Sequence, residues 1–170
     1  ADAAAGLPSG EDPAIVYGRR RVSPFSAAYA RAAGQTLRET LARIRAEPGL
    51  SLWGLFLESY NHGEWTLGLY FPDHGRAALR GFRGWLRSRY GSDLGLQQAW
   101  GDPAARLDTA RPPVQYSRDW LDDLRLFSRP EQDYIEAESE ALTAQVLAIA
   151  RAIKQVDPGL GVGGFYPGCN

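Results

Sequence analysis

From Glu58 to Trp65 the sequence reads Glu-Ser-Tyr-Asn-His-Gly-Glu-Trp, placing two carboxylates, an imidazole, an amide and two aromatic rings in one short run. Paired carboxylates suit general acid and base work, because an apolar neighbour can hold one protonated while the other stays charged. Glu64 stands beside Trp65 and behind the apolar stretch that ends at Leu57, so desolvation could raise its pKa and let it donate a proton near neutral pH. The same residue could instead be an acid of the first turn of a following helix, where the helix dipole favours negative charge. Glu58 is open in the same way, as a hydrogen-bonded structural carboxylate or a second catalytic one. His62 and Glu64, with His74 further on, could supply two or three metal ligands. His-x-Glu alone is a weak pattern and no second cluster joins it, so no metal and no other cofactor is expected.

The rings of Tyr60, Trp65, Tyr70, Phe71, Trp100, Tyr116, Trp120 and Tyr166 fall largely in loops or at element ends, whereas Trp53, Phe82 and Trp85 read as core. Rings beside carboxylates suit sugars, whose C–H faces stack on aromatic surfaces while Asn, His and carboxylates bond the hydroxyls. Other chemistries lack their residues. No Gly-x-Ser-x-Gly elbow exists, Cys169 is the single cysteine and has no partner near it, and Gly161, Gly163 and Gly164 lead into neither a lysine nor a helix. One cysteine forms no intrachain disulfide and leaves the redox compartment open.

Nineteen basic against twenty acidic residues give a net charge of -1. That balance lacks the footprint that non-specific binding to nucleic acid or an anionic membrane needs, and Arg19-Arg-Arg21 reads as a solvated loop. No apolar run approaches the ~18 residues of a membrane span. With 44% hydrophobic and 11% aromatic residues in 170, the chain can bury a real core. The opening Ala1-Asp-Ala-Ala lacks an initiator methionine, which fits a cleaved mature terminus, a trimmed chain or a region of a longer protein. Compartment is undetermined.

The elements that must position Tyr60 to Trp65 follow from periodicity. Pro8 to Pro13 is loop, and Ala14 to Tyr17 is at best a short strand. From Ser26, Tyr29, Ala33, Leu37, Leu41 and Ile44 recur at helical spacing until Pro48-Gly49. Leu50 to Leu57 carries apolar residues with little alternation, the pattern of a strand covered on both faces. Leu79, Phe82, Leu86 and Tyr90 predict a second helix closed by Gly91, and Ser92 can cap a short helix through Trp100. Residues 102–119 read as a long irregular loop. Ser128-Arg-Pro-Glu131 has capping-box spacing and opens a long helix through Val156, stopped by Asp157-Pro-Gly159. Leu160 to Tyr166 predicts another buried strand. Helices alternate with buried strands and no hairpin signal stands out, so the class is α/β with parallel (β/α) units. Such folds converge their binding groups at the C-terminal ends of the strands, where Tyr60 to Trp65 and Tyr166 fall.

Taken together, Phe82-Arg-Gly-Trp-Leu-Arg-Ser-Arg-Tyr-Gly91, Ala99-Trp-Gly-Asp-Pro103, Asn61-His-Gly-Glu-Trp65 and Val162-Gly-Gly-Phe-Tyr166 resemble the region around the fourth and fifth barrel strands of bacterial beta-galactosidase-like glycoside hydrolases, especially those related to family 42. The resemblance runs from about Ser23 to the C-terminus. It implies part of a (β/α)8 TIM-type barrel of the clan A type, about strands three to five, with residues 1–25 as an N-terminal loop or extended segment and 26–170 as the glycosidase-like domain. It also implies a retaining mechanism with Glu64 as general acid/base, and substrate contacts from Tyr60, Asn61, His62, Trp65 and Tyr166. The family pattern has asparagine directly before the acid/base, whereas Gly63 stands here and the asparagine is Asn61. Asn61 and His62 are therefore both candidates to bind the sugar 2-hydroxyl. In these barrels the nucleophile is a glutamate on the seventh strand, beyond this chain, which implies that the chain alone is inactive. Its open sheet edges call for the remaining barrel segments or another copy of the chain. The alternative is a carbohydrate-binding or scaffold protein of the same descent, which holds sugar with Trp65, Tyr60 and His62 without hydrolysing it.

Overall fold

A computed structural model describes residues 15–16, 19–20, 22–57, 72–117 and 123–164. In chain order the elements are strands β1 (Ile15–Val16) and β2 (Arg19–Arg20), helix α1 (Ala27–Ala46), strand β3 (Gly54–Leu57), helices α2 (Arg76–Tyr90), α3 (Asp93–Trp100) and α4 (Arg129–Val156), and strand β4 (Gly161–Gly164). A 3-10 turn at Leu124–Leu126 precedes α4. The chain forms two compact units, one of Ala1–Ser26 with Leu67–Ala141, the other of Ala27–Thr66 with Leu142–Asn170.

In the first unit, β1 and β2 pair antiparallel, Ile15 opposite Arg20 and Val16 opposite Arg19. This corrects the reading of residues 19–20 as loop and of the chain as free of hairpins. Its sequence signal is Tyr17-Gly18, a two-residue connection with glycine second, which was too little to stand out beside strands of two residues. Helix α2 buries Ala77, Ala78, Phe82 and Leu86 and carries Arg87 and Arg89 in its last turn, where cations favour the dipole. Gly91 closes it in the left-handed region at φ 71°, its N–H bonded to the Arg87 carbonyl. Gly81 is glycine for a packing reason: a Cβ there would lie 2.3 Å from the Phe25 ring. Ser92 caps α3 by accepting the Gly95 N–H at 3.2 Å, and Gly101 ends that helix at φ 66°. Phe82, Leu86, Leu96, Leu107, Tyr134 and Ala137 form the core, with Phe25, Trp85 and Trp100 packed on it.

In the second unit, α1 and residues 142–156 of α4 share a core of Leu41, Leu57, Ile149, Ile153 and Leu160, with Leu37, Leu55, Val146 and Val162 against it. Gly34 permits the close approach, since a Cβ there would stand 2.9 Å from the Ala152 Cβ. After α4 the chain turns at Asp157-Pro-Gly159, with the Gly159 N–H donating to Asp157 Oδ1 and Lys154 Nζ donating to the Leu160 carbonyl at 2.6 Å. That turn launches β4 alongside β3.

The β3–β4 pair is parallel, as the α/β reading expects, with Gly54 opposite Gly161 and Leu57 opposite Gly164, but β4 is exposed to half-buried along Gly161–Gly164 rather than buried. Coverage of β3 differs from the expectation of two buried faces. Leu55 and Leu57 enter the core, whereas Phe56 is 58% and Trp53 88% exposed. Trp53, read from the sequence as core, is therefore a surface residue of this unit. The helices cover one side of the strand, so alternation that the unbroken apolar run concealed reappears in the burial pattern.

Candidate functional site

Tyr60, Asn61, His62, Glu64, Trp65 and Tyr166, together with Glu58, lie outside the described residues. The strand ends that lead to them are described. Leu57 and Gly164 are partners on adjacent parallel strands, a spacing of about 4.8 Å between strands. Tyr60 is the third residue after Leu57 and Tyr166 the second after Gly164, so both candidate stretches issue from the same end of one strand pair. Small residues let this pair close up. The Gly161 N–H donates to the Trp53 carbonyl at 3.1 Å, and a Cβ on Gly163 would stand 3.1 Å from the Phe56 ring. The Gly-x-Gly-Gly run that looked like a failed phosphate loop is thus a strand thinned to fit its neighbour.

Downstream of Glu64, the described chain resumes at Pro72, in the first unit. Asp73 is fully buried and held at three points. Its N–H donates to the Tyr134 hydroxyl at 2.9 Å, that hydroxyl donates back to the Asp73 carbonyl at 3.2 Å, and Asp73 Oδ1 accepts the Gly75 N–H at 2.7 Å. Burial, then the charges of Glu138 and Asp73, raise the Tyr134 phenol well above its ordinary value, so it stays a neutral donor. Tyr134 is itself fixed by edge-to-face packing on Phe82, with ring centroids 5.1 Å apart.

His74 is buried beside Asp73, with its ring hydrogen-bonded to the Pro113 carbonyl. Burial lowers its pKa; the Pro113 bond and Asp73 oppose this and Arg111 reinforces it. Its conceivable partners as metal ligands, His62 and Glu64, lie outside the described residues. Among the described residues no group of three His, Cys, Asp or Glu side chains could hold a metal ion.

Two of the stretches that carried the family resemblance have an architectural task. Tyr90 of the Arg-Tyr-Gly stretch and Trp100 of Ala-Trp-Gly both donate to Asp133, which is fully buried on α4: the Tyr90 hydroxyl at 2.7 and 2.9 Å, Trp100 Nε1 at 2.7 Å. Arg129, one turn earlier, completes the set at 2.9 Å and also donates to the Tyr90 hydroxyl. Sequence reasoning missed Asp133. The available signal was an acid four residues after an arginine and directly before an aromatic, on the face that also presents Ala137 to the core.

Glu131 was visible as the acid of the capping box, and it does more than cap. It accepts the Ser128 N–H at 2.8 Å and the Ser128 hydroxyl, and from the irregular loop the Ser117 N–H and hydroxyl. Burial would raise its pKa, but these four bonds together hold it below the ordinary 4.5. A depressed carboxylate contributes stability above its unfolded value that is lost as pH falls through the folded one. Glu131→Gln, which keeps the shape and loses the charge, is expected to cost about 1.5–3 kcal/mol at pH 7. The gap to wild type should shrink below pH 4.5, as the wild-type carboxyl takes up its proton. Urea midpoints at pH 7 and pH 4 measure this; a gap that is constant with pH would assign the loss to shape rather than charge.

No protein-family model matches the chain, and no curated protein matches it. Solved structures do. A beta-galactosidase from the psychrophilic Marinomonas ef1 superposes with a TM-score of 0.67 at 18% identity, over 97% of this chain and 24% of that one. A beta-galactosidase from Bacillus circulans sp. alkalophilus gives 0.64 at 20% identity, over 95% and 23%. The catalytic domain of a beta-amylase from Paenibacillus polymyxa gives 0.64 at 16% identity, over 86% and 39%. The chain therefore spans about a quarter of the length of these beta-galactosidases. At such identities the likeness concerns the fold: helices and two parallel strands that form a fragment of the TIM-barrel glycosidase architecture.

Proposed function

We propose that these residues are the acid/base-bearing part of a retaining beta-glycosidase related to family 42, with Glu64 as general acid and then general base. Tyr60, Asn61, His62, Trp65 and Tyr166 contact the sugar in this reading. The observation that carries it is the parallel β3–β4 pair, whose partnered ends Leu57 and Gly164 lead directly into the two candidate stretches. In parallel α/β folds the loops after strand ends are where side chains converge on a ligand. The likeness in fold to glycoside hydrolases supports the same choice of substrate class.

In the proposed reaction Glu64 protonates the glycosidic oxygen as a second carboxylate, roughly 5 Å away, attacks the anomeric carbon; Glu64 then deprotonates the water that releases the sugar. The second carboxylate is sought on other strands of the barrel. The test is hydrolysis of beta-galactosides by the native polypeptide that contains these residues, followed by NMR of the first-formed anomer. The beta anomer is expected first. Release of the alpha anomer first would replace the retaining mechanism with an inverting one, and no turnover of any beta-glycoside would remove the proposal and leave sugar binding without hydrolysis.

A further inference from the structure

The two faces of the β3–β4 pair are unlike. On one, Leu55, Leu57 and Val162 pack into the core that the helices share. On the other, alternation leaves Gly54 and Phe56 of β3, and the parallel register sets Gly161 and Gly163 of β4 beside them. Three of these four positions have no side chain, and the fourth carries a phenyl ring that is 58% exposed. The ring leans across the neighbouring strand, with Cε2, Cζ and Cδ2 at 3.1, 3.4 and 3.5 Å from where a Gly163 Cβ would stand. A larger residue at 163 would push it aside.

In a (β/α)8 barrel the helices form the outer ring, so the strand face turned from them is the interior, ordinarily filled by branched side chains such as Val, Ile and Leu. Here glycine removes that bulk at the three positions beside one aromatic ring. What remains is an apolar floor one residue below Leu57 and Gly164, the partnered ends from which Tyr60 to Trp65 and Tyr166 follow in sequence. The rise along a strand is about 3.3 Å per residue, so this floor stands directly under those ends. Such a surface fits a pyranose, whose ring hydrogens stack on an aromatic side chain while its hydroxyls turn to polar groups.

We propose that Phe56 is a substrate contact, an apolar platform for the C–H face of the sugar, and that Gly163 is glycine to let the ring lie there. The inference rests on the glycosidase reading, whose site it extends down the strand.

Phe56→Leu, Phe56→Tyr and Gly163→Ala in the native polypeptide that contains these residues test it, with KM on a beta-galactoside, the Kd of D-galactose by calorimetry and the urea midpoint as readouts. Leucine keeps apolar bulk and loses the ring, so KM and the galactose Kd should rise about tenfold, the scale of a lost ring contact, with kcat little changed. Tyrosine keeps the ring and should restore both. A lower urea midpoint with KM and Kd unchanged would make Phe56 a packing residue and overturn the contact while the enzyme reading stands. If Phe56→Leu does not fold, Gly163→Ala displaces the ring without removing it and should weaken galactose binding; unchanged affinity there overturns the contact equally. Absence of turnover in the wild type removes the glycosidase reading instead. Galactose binding that still depends on Phe56 then keeps the platform, and binding that is absent or indifferent to Phe56 overturns it too.

Discussion

Asp133→Ala is expected to lower the stability of the first unit by about 2–4 kcal/mol, the scale for removing a charged acceptor from two partly buried neutral donors and a partly exposed guanidinium. The loss comes from what remains behind. The Tyr90 hydroxyl, Trp100 Nε1 and the partly exposed Arg129 guanidinium all aim at one fully buried carboxylate, and alanine leaves three donors from three helices without the acceptor they share. Against a typical domain stability of 5–15 kcal/mol this is a large fraction. Asp133→Asn, which retains one acceptor oxygen, should cost less. Tyr90→Phe in the Asp133→Ala background should add less than it does alone, since the two residues share one network. Urea unfolding followed by tryptophan fluorescence reads the effect, because Trp85 and Trp100 both belong to this unit. A change within about 0.5 kcal/mol, the scale of an ordinary surface substitution, would mean that the carboxylate is dispensable.

What the sequence reveals and conceals here follows the range of the interactions. Gly91, Ser92, Gly101 and the Ser128–Glu131 box act within a few residues of themselves, so their chemistry marks helix ends without knowledge of the fold. The partnership of Leu57 with Gly164 spans the whole helical crossover. Periodicity indicates that both segments are strands, and only the parallel rule says that they pair. Asp133 lies further beyond reach: on α4 it is one acid among several, and what distinguishes it is the arrival of Tyr90 and Trp100 from two other helices. The one-sided burial of β3 was hidden for the opposite reason. Trp53 and Phe56 are as apolar as the residues that fill the core, so the run shows no alternation although the strand has it. His74 shows the same limit at a single atom, since an Nε2 buried without a partner among the described residues is a property of its surroundings and leaves no trace in residue type.

The candidate site was legible as composition, namely carboxylate, amide, imidazole and ring within one run, and the sharpest expected result concerns its central residue. In the native polypeptide that contains these residues, Glu64→Gln should reduce kcat/KM on beta-galactosides with poor leaving groups by about a thousandfold, within the 10²–10⁴ that a positioned general acid or base contributes. The dependence on leaving group carries the argument. An alkoxide cannot depart without a proton, so its glycosides should suffer fully, whereas an activated phenolate departs unaided and its glycosides should lose little in the first step. Hydrolysis of the covalent intermediate would then be limiting, because water still needs a base. A small anionic nucleophile such as azide needs none, and should restore turnover of the activated substrate while giving the glycosyl azide. Equal losses on both substrate types would assign Glu64 to structure or binding. Unchanged affinity for sugar in a protein that hydrolyses nothing would favour the carbohydrate-binding reading, in which Trp65 and Tyr60 do the holding and the glutamate has no proton to move.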